Sequence, residues 1–122
     1  MDAFFRDLQF KLKKKSKHQP GENSCVLWTG NVSYSGYGLQ SVKWPVEGRK
    51  LEKAHRVALM VERGLTRSQF RDVEGEVSHL CHNKLCVNTA HLVIEQHCIN
   101  QERIHCFLLG RCTEAHSPLC LM

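Results

Sequence analysis

The chain is 122 residues long, with 42% hydrophobic residues, 24% charged residues and a formal net charge of +5. This is the composition of one globular domain; it argues against a disordered tail protein, and no run approaches the ~18 apolar residues of a membrane span. Seven cysteines and eight histidines are the abnormal counts. An odd number of cysteines, and a start (Met1 to Asp7) without a secretory apolar stretch, make thiolate–metal chemistry in an intracellular protein the expectation, ahead of a disulfide scaffold.

Residues 1–12 place Phe4, Phe5, Leu8 and Leu12 at helical spacing, which predicts a short amphipathic helix. A lysine run follows, Lys11 to Lys17, and then a turn-forming Gln19-Pro20-Gly21. Residues 1–22 thus read as a helix and basic arm ahead of a domain at 23–122. The lysine run suits a nuclear-import signal, a phosphate-contacting arm or a solvated helix end equally. Cys25–Thr29, Tyr37–Trp44 and Arg49–Ala54 read as strands, with much of both faces polar, as in an antiparallel sheet wetted on one side. Residues 54–64 carry Val57, Ala58, Met60 and Val61 on one stripe and stop at Gly64, predicting a helix. A short helix and a turn at Gly75 are expected over 65–76. Then come a strand at Val77–Cys81, a strand at Leu92–Glu95 and a helix over 97–109 with Ile99, Arg103, Ile104 and Phe107 near one stripe.

Charge is segregated along this order. Residues 1–20 carry +4 and residues 43–71 carry +5, whereas residues 72–122, which hold six of the seven cysteines, carry −3. A separate basic stretch suits a polyphosphate partner, because each Lys or Arg contact releases condensed counterions.

The cysteines and histidines sort into two sets of four. Cys81-x4-Cys86-x4-His91 supplies three ligands within eleven residues, and a structural zinc takes four in a tetrahedron. Cys25, the only cysteine upstream, is the natural fourth and would pin the first strand to the loop. Cys106-x5-Cys112-x3-His116-x3-Cys120 is complete by itself. Cys98 is left over and reads as a small buried hydrophobe. His82, His97 and His105 sit beside ligands and could replace one. Metal stapling also accounts for a lean core, since aromatics are only 7% of the chain.

The zinc sets do not use His79 or Asn100. The order strand–loop–strand–helix, with a histidine leaving the first strand and an asparagine on the helix, can aim an imidazole and an amide oxygen at one point. Ser78-His79-Leu80-Cys81-His82-Asn83, Cys86-Val87-Asn88, His91-Leu92 and Asn100 resemble the His-Cys box homing endonucleases, members of the ββα-metal (His-Me finger, HNH-like) nucleases. The resemblance extends from Cys25-Val26-Leu27-Trp28-Thr29-Gly30 through Gly36-Tyr37-Gly38 and Ala54-His55-Arg56-Val57 to Cys120.

It implies an α+β fold: a small zinc-stapled domain with a DNA-reading antiparallel sheet at about 24–54, a ββα core at about 77–109 and a second zinc loop at 106–120. It also implies a DNA endonuclease with two structural Zn2+ and one catalytic Mg2+ or other divalent ion. His79 would be the general base and Asn100 the Mg2+ ligand, leaving a 5′-phosphate and a 3′-hydroxyl. Gln40, Lys43, Arg49, Lys50 and Lys53 would face double-stranded DNA from the sheet, with Arg56 beside them. His55 and Arg56 could touch the scissile phosphate, though packing at a helix start suits them equally. Dimers of that family embrace through a C-terminal extension, and this sequence runs two residues past Cys120. The expectation is therefore a monomer, or a homodimer formed by another route. The competing reading is an inactive zinc-stapled DNA- or protein-binding module derived from such a nuclease.

Overall fold

The structure is a computed structural model and describes residues 2–21, 24–73 and 75–110 together with positions 116, 118, 120 and 121. Helix α1 (Asp2–Lys14) presents Leu8 and Leu12 inward, while Phe4 rests on Trp44 with ring centroids 5.6 Å apart. Strand β1 (Ser16–His18) then pairs antiparallel with β2 (Val26–Trp28). The end of the lysine segment is thereby drawn into a β-ladder, and residues 2–18 share their core with the rest of the chain.

Strands β3 (Leu39–Trp44) and β4 (Gly48–Lys53) form the second two-stranded ribbon, with Lys43 opposite Arg49 and Ser41 opposite Leu51. Alternation along β3 sends Gln40, Val42 and Trp44 inward and Ser41 and Lys43 outward. Helix α2 (Ala54–Arg63) buries Val57, Ala58, Leu59 and Met60. It ends where expected, at Gly64, whose left-handed φ of 64° lets its amide close the last turn on Met60 and Val61. The short α3 (Arg67–Arg71) starts with a capping box between Thr66 and Gln69 and buries Phe70.

The third ribbon is β5 (Glu76–His79) against β6 (Leu92–Glu95), and α4 (His97–Leu109) follows directly. This is the ββα arrangement expected from the sequence, within a small mixed helix and antiparallel-sheet fold. One detail of α4 differs. Arg103 and Cys106 are its buried residues, whereas Ile104 and Phe107 are 39% and 54% exposed. The helix faces the metal ligands, so its inward line is set by coordination and ion pairing and not by an apolar stripe.

Two apolar clusters hold these parts together. Leu8, Val42, Trp44, Val57, Met60, Phe70, Val77 and Leu92 join α1 and α2 to the second and third ribbons. Leu12, Trp28, Ala54, Ala58 and Val87 join α1 and α2 to the loop after β5. Trp28 needs close backbone approach: a Cβ on Gly38 would lie 2.4 Å from its ring and one on Gly30 2.6 Å. Among the described residues no helix is long and apolar enough to cross a membrane.

Candidate active site and metal centres

The loop between β5 and β6 does not stand alone. Trp28 donates its amide to the Leu85 carbonyl at 2.9 Å, and Val87 donates to Val26 at 2.7 Å, so the loop runs as an extra partner of β2. This pairing carries Cys25, the residue just before β2, to the Cys86 side of the loop. Cys25, Cys81, Cys86 and His91 consequently have ligand atoms all within 4.8 Å of one another. The Nδ1 of His91 is 3.7 Å from the Cys25 sulfur and 3.5 Å from the Cys86 sulfur. Zn–S and Zn–N bonds of ~2.3 and ~2.0 Å in a tetrahedron separate sulfur and nitrogen by roughly 3.6 Å, so the four residues fit zinc.

One thiol of this group is poised for metal, while burial pushes the Cys25 thiol up. Cys86 is pushed down to about 4, first by the hydrogen bond from the Cys81 thiol, with the backbone at Asn88 and Val26 also lowering it. Cys81 moves up in return, because it holds the shared proton against Cys86. A sulfur already surrounded by donors favours the thiolate that zinc requires.

The second group joins Cys106 of α4 to His116 and Cys120, again within 4.8 Å. Cys112, the expected fourth ligand, lies outside the described residues. The Nδ1 of His116 faces the Cys120 sulfur at 3.6 Å and the Cys106 sulfur at 4.0 Å. Its Nε2 donates to the Glu102 carboxylate at 3.2 Å, which leaves Nδ1 as the coordinating atom. Arg103 is 1% exposed and forks onto Glu95 of β6 at 2.6 and 3.0 Å while donating to the Cys120 sulfur at 3.4 Å. Burial alone would lower its pKa; Glu95 and Cys120 more than offset this, and the guanidinium stays charged. Arg103 thereby locks the second metal group to the ββα hairpin. Sequence reasoning missed this role, because at 97–109 only helical spacing was legible.

The histidines that could have replaced a ligand are engaged elsewhere or face solvent. His82, in a left-handed conformation at φ 61°, stacks on Phe107 with centroids 5.0 Å apart. His97 meets Glu76, and His105 is exposed. Cys98 is exposed as well, with its sulfur 3.7 Å from the Gln96 side chain, contrary to the buried position expected for it. It sits on the first turn of α4, away from the buried line of Arg103 and Cys106.

His79 is the last residue of β5 and belongs to neither metal group. Its Nε2 is 3.0 Å from the carbonyl oxygen of Cys86. A carbonyl only accepts, so Nε2 carries the proton and Nδ1 keeps its lone pair. Burial lowers the His79 pKa from its ordinary value, the hydrogen bond to Cys86 opposing it, so the ring is neutral near pH 7. Around it lie His55, with ring centroids 4.3 Å apart, and Tyr37 at 6.1 Å. Lys53 and Lys84 place their ammonium groups 4.6 and 5.2 Å from the Tyr37 ring centroid.

Asn100 stands on α4, the helix packed against β5. Its amide nitrogen donates to Glu76 of β5 at 2.5 Å, and His97 approaches the same carboxylate at 3.0 Å. The hydrogen bond from Asn100, ahead of that from His97, holds the Glu76 carboxyl below its ordinary range.

A family model described as the zinc-binding loop region of homing endonuclease matches residues 10–120. The chain belongs to this family. Its two Cys/His groups could hold two zinc ions in keeping with that membership, and a nuclease-related function follows from it. No curated protein and no solved structure matches the chain.

The expected DNA-facing residues of this homing-endonuclease family member divide in the structure. Lys43, Arg49, Lys50 and Lys53 are exposed along the β3–β4 ribbon. Lys43 and Arg49 sit directly opposite each other, an arrangement that like charges disfavour. Gln40 is instead 6% exposed, on the inner face with Val42 and Trp44. Strand alternation decides this, since its neighbours Leu39 and Ser41 take the outer face. Arg56 is half-buried, donating to Glu52 at 3.1 Å and lying over the Phe70 ring. Glu52 also accepts from Arg67 at 3.3 Å, so Arg56 is part of a bridge between β4, α2 and α3.

Proposed function

We propose that this chain is a Mg2+-dependent DNA endonuclease that hydrolyses a phosphodiester to a 5′-phosphate and a 3′-hydroxyl. The observation that carries the reading is the His79–Cys86 hydrogen bond. A carbonyl on the zinc loop holds Nε2–H, so the free Nδ1 lone pair is held in a fixed direction by metal-braced backbone. In this reading Nδ1 of His79 takes a proton from a water as the water oxygen bonds to phosphorus. The P–O3′ bond breaks and the 3′ oxygen takes up a proton from solvent.

Asn100 supports the second half of the site. Its amide nitrogen is committed to Glu76, a group that only accepts, so Oδ1 is the atom left to act as a hard oxygen ligand. Mg2+ bound there with water and DNA oxygens would polarise a non-bridging phosphate oxygen and neutralise the departing 3′ oxygen. One neutral oxygen is a weak Mg2+ site without a phosphate beside it, so the metal would bind with the DNA.

The β3–β4 ribbon suits the DNA partner. A two-stranded ribbon fits a major groove, and its exposed Lys43, Arg49, Lys50 and Lys53 would meet phosphates and guanine edges. Opposed Lys43 and Arg49 make sense where an anion lies between the chains.

A plasmid-nicking assay with Mg2+ and with EDTA tests the reading, with DNA binding measured in parallel. His79→Ala and Asn100→Ala should each lower nicking by roughly 100-fold or more while zinc content and DNA affinity stay unchanged. If zinc-loaded protein nicks neither single- nor double-stranded DNA with Mg2+ or Mn2+, the chain is instead an inactive zinc-stapled binding module.

A further inference from the structure

We infer that Glu76 is a positioning residue that sets the orientation of the Asn100 side chain. The inference rests on the proposed role of Asn100 as the ligand of the catalytic cation. An asparagine amide has two faces of opposite character, an oxygen that can ligate a cation and an NH2 that repels one. The two differ by a half-turn about the last side-chain bond, and that rotation is soft. An asparagine on an open helix face would spend part of its time with the wrong group forward.

Here the rotation is decided by a neighbour on another element. The Glu76 carboxylate has no donor when ionised, so only the Nδ2 side of Asn100 can face it, at 2.5 Å. His97 holds the same carboxylate at 3.0 and 3.1 Å to its two oxygens, which keeps Glu76 from swinging away. Three side chains, from β5 and the first turns of α4, thus present Oδ1 on the side away from the carboxylate. Glu76 leaves the opposite end of β5 from His79, and neither metal group includes it. Its place is explained by the contact to Asn100 and His97.

The contact has a polarity that substitution can reverse. An Asp at position 100 ligates a cation better than Asn by charge alone, yet beside Glu76 it would put two carboxylates in contact. Changing Glu76 to Gln at the same time restores the bond with donor and acceptor exchanged. Asn100→Asp should therefore weaken cation binding when Glu76 is present and be tolerated when position 76 is Gln.

The experiment uses the full zinc-loaded chain and has two readouts besides nicking. The first is the NMR signal of the Asn100 side-chain NH2 in the free protein. The second is Mn2+ binding, followed by electron paramagnetic resonance, to the complex with a duplex blocked against cleavage. Glu76→Ala should move the NH2 signal to an unbonded position and raise the Mn2+ half-saturation by roughly tenfold, as loss of an outer-shell partner does. Glu76→Gln alone should stay near wild type, because its oxygen still accepts from Asn100. Asn100→Asp should bind Mn2+ worse than the Glu76→Gln/Asn100→Asp pair. An unmoved NH2 signal and an unchanged half-saturation in Glu76→Ala, or equal binding by the single and paired Asp variants, would overturn the inference. Absence of nicking by wild type, with the NH2 signal still moved by Glu76→Ala, would count against the nuclease reading and leave the positioning contact standing.

Discussion

His79 gives its Nε2 proton to the carbonyl oxygen of Cys86, 3.0 Å away, and Cys86 is itself a member of the first metal group. The imidazole is therefore tied by this one hydrogen bond to the loop that carries Cys86. Moving the Cys86 loop moves the hydrogen bond that selects the tautomer of His79, although His79 binds no metal in either group.

Loss of the first metal should accordingly silence the site without touching His79 or Asn100. Cys25→Ser is the sharpest variant, because Cys25 lies 56 residues upstream of Cys81 and joins the group only through the β2 pairing. Elemental analysis should fall from about two zincs per chain to about one, and nicking should drop by at least tenfold. A variant with one zinc and full nicking would show that the loop holds its shape unaided.

Breaking the Arg103 fork should be severe. Arg103 and Glu95 side chains are 1% and 9% exposed, so Arg103→Met leaves Glu95 buried without its partner. The expected loss is about 3–5 kcal/mol, read as a lower midpoint in thermal or urea unfolding of the zinc-loaded chain. Arg103→Lys should recover only part, because an ammonium cannot make the two parallel bonds to Glu95 and still reach Cys120. A change below about 1 kcal/mol for Arg103→Met would mean the pair is dispensable.

DNA affinity should track the β3–β4 ribbon through salt. Lys43 and Arg49 face each other across the strands, so on the proposed DNA-binding reading replacing both with Ala would remove two phosphate contacts along with one like-charge opposition. The slope of log affinity against log salt should fall in magnitude by about 2, with the folded state no less stable. Gln40→Ala and Arg56→Ala should leave that slope alone, the first because its side chain is buried and the second because Glu52 holds it.

His55 should make stability depend on pH. Burial first, then His79 once acid protonates it, and the charges of Lys53 and Arg56 pull its pKa from 6.5 to about 2, and among the described residues its buried Nδ1 has no hydrogen-bond partner. The folded state keeps the ring neutral, while the unfolded chain protonates it below pH 6.5. Stability from this residue is thus complete above pH 6.5 and is lost as pH falls towards 2, at about 1.4 kcal/mol per unit. Acid also releases zinc, and a comparison with His55→Asn separates the two effects. The stability difference between wild type and variant should shrink by roughly 1 kcal/mol between pH 6 and pH 5; a constant difference would mean the ring is protonated in the folded state.

Local sequence was enough for every element whose signal is a spacing or a stop. The helix ending at Gly64 and the strand Leu92–Glu95 follow from local spacing and a stop signal, which act within one or two turns. The helix over 97–109 has the span that spacing predicts but the opposite of its expected inward face, with Ile104 and Phe107 exposed. The candidate metal groups are equally legible, because tetrahedral coordination needs four soft ligands and few residues can supply them. Only tertiary structure decided the rest. Gln40 turned inward by strand alternation, Arg56 was claimed by Glu52, and Arg103 became the buried link to Cys120. The same holds for Glu76, whose partner Asn100 is 24 residues away. A polar side chain is committed by whichever partner the fold brings within about 3 Å, and no periodicity in the chain records that distance.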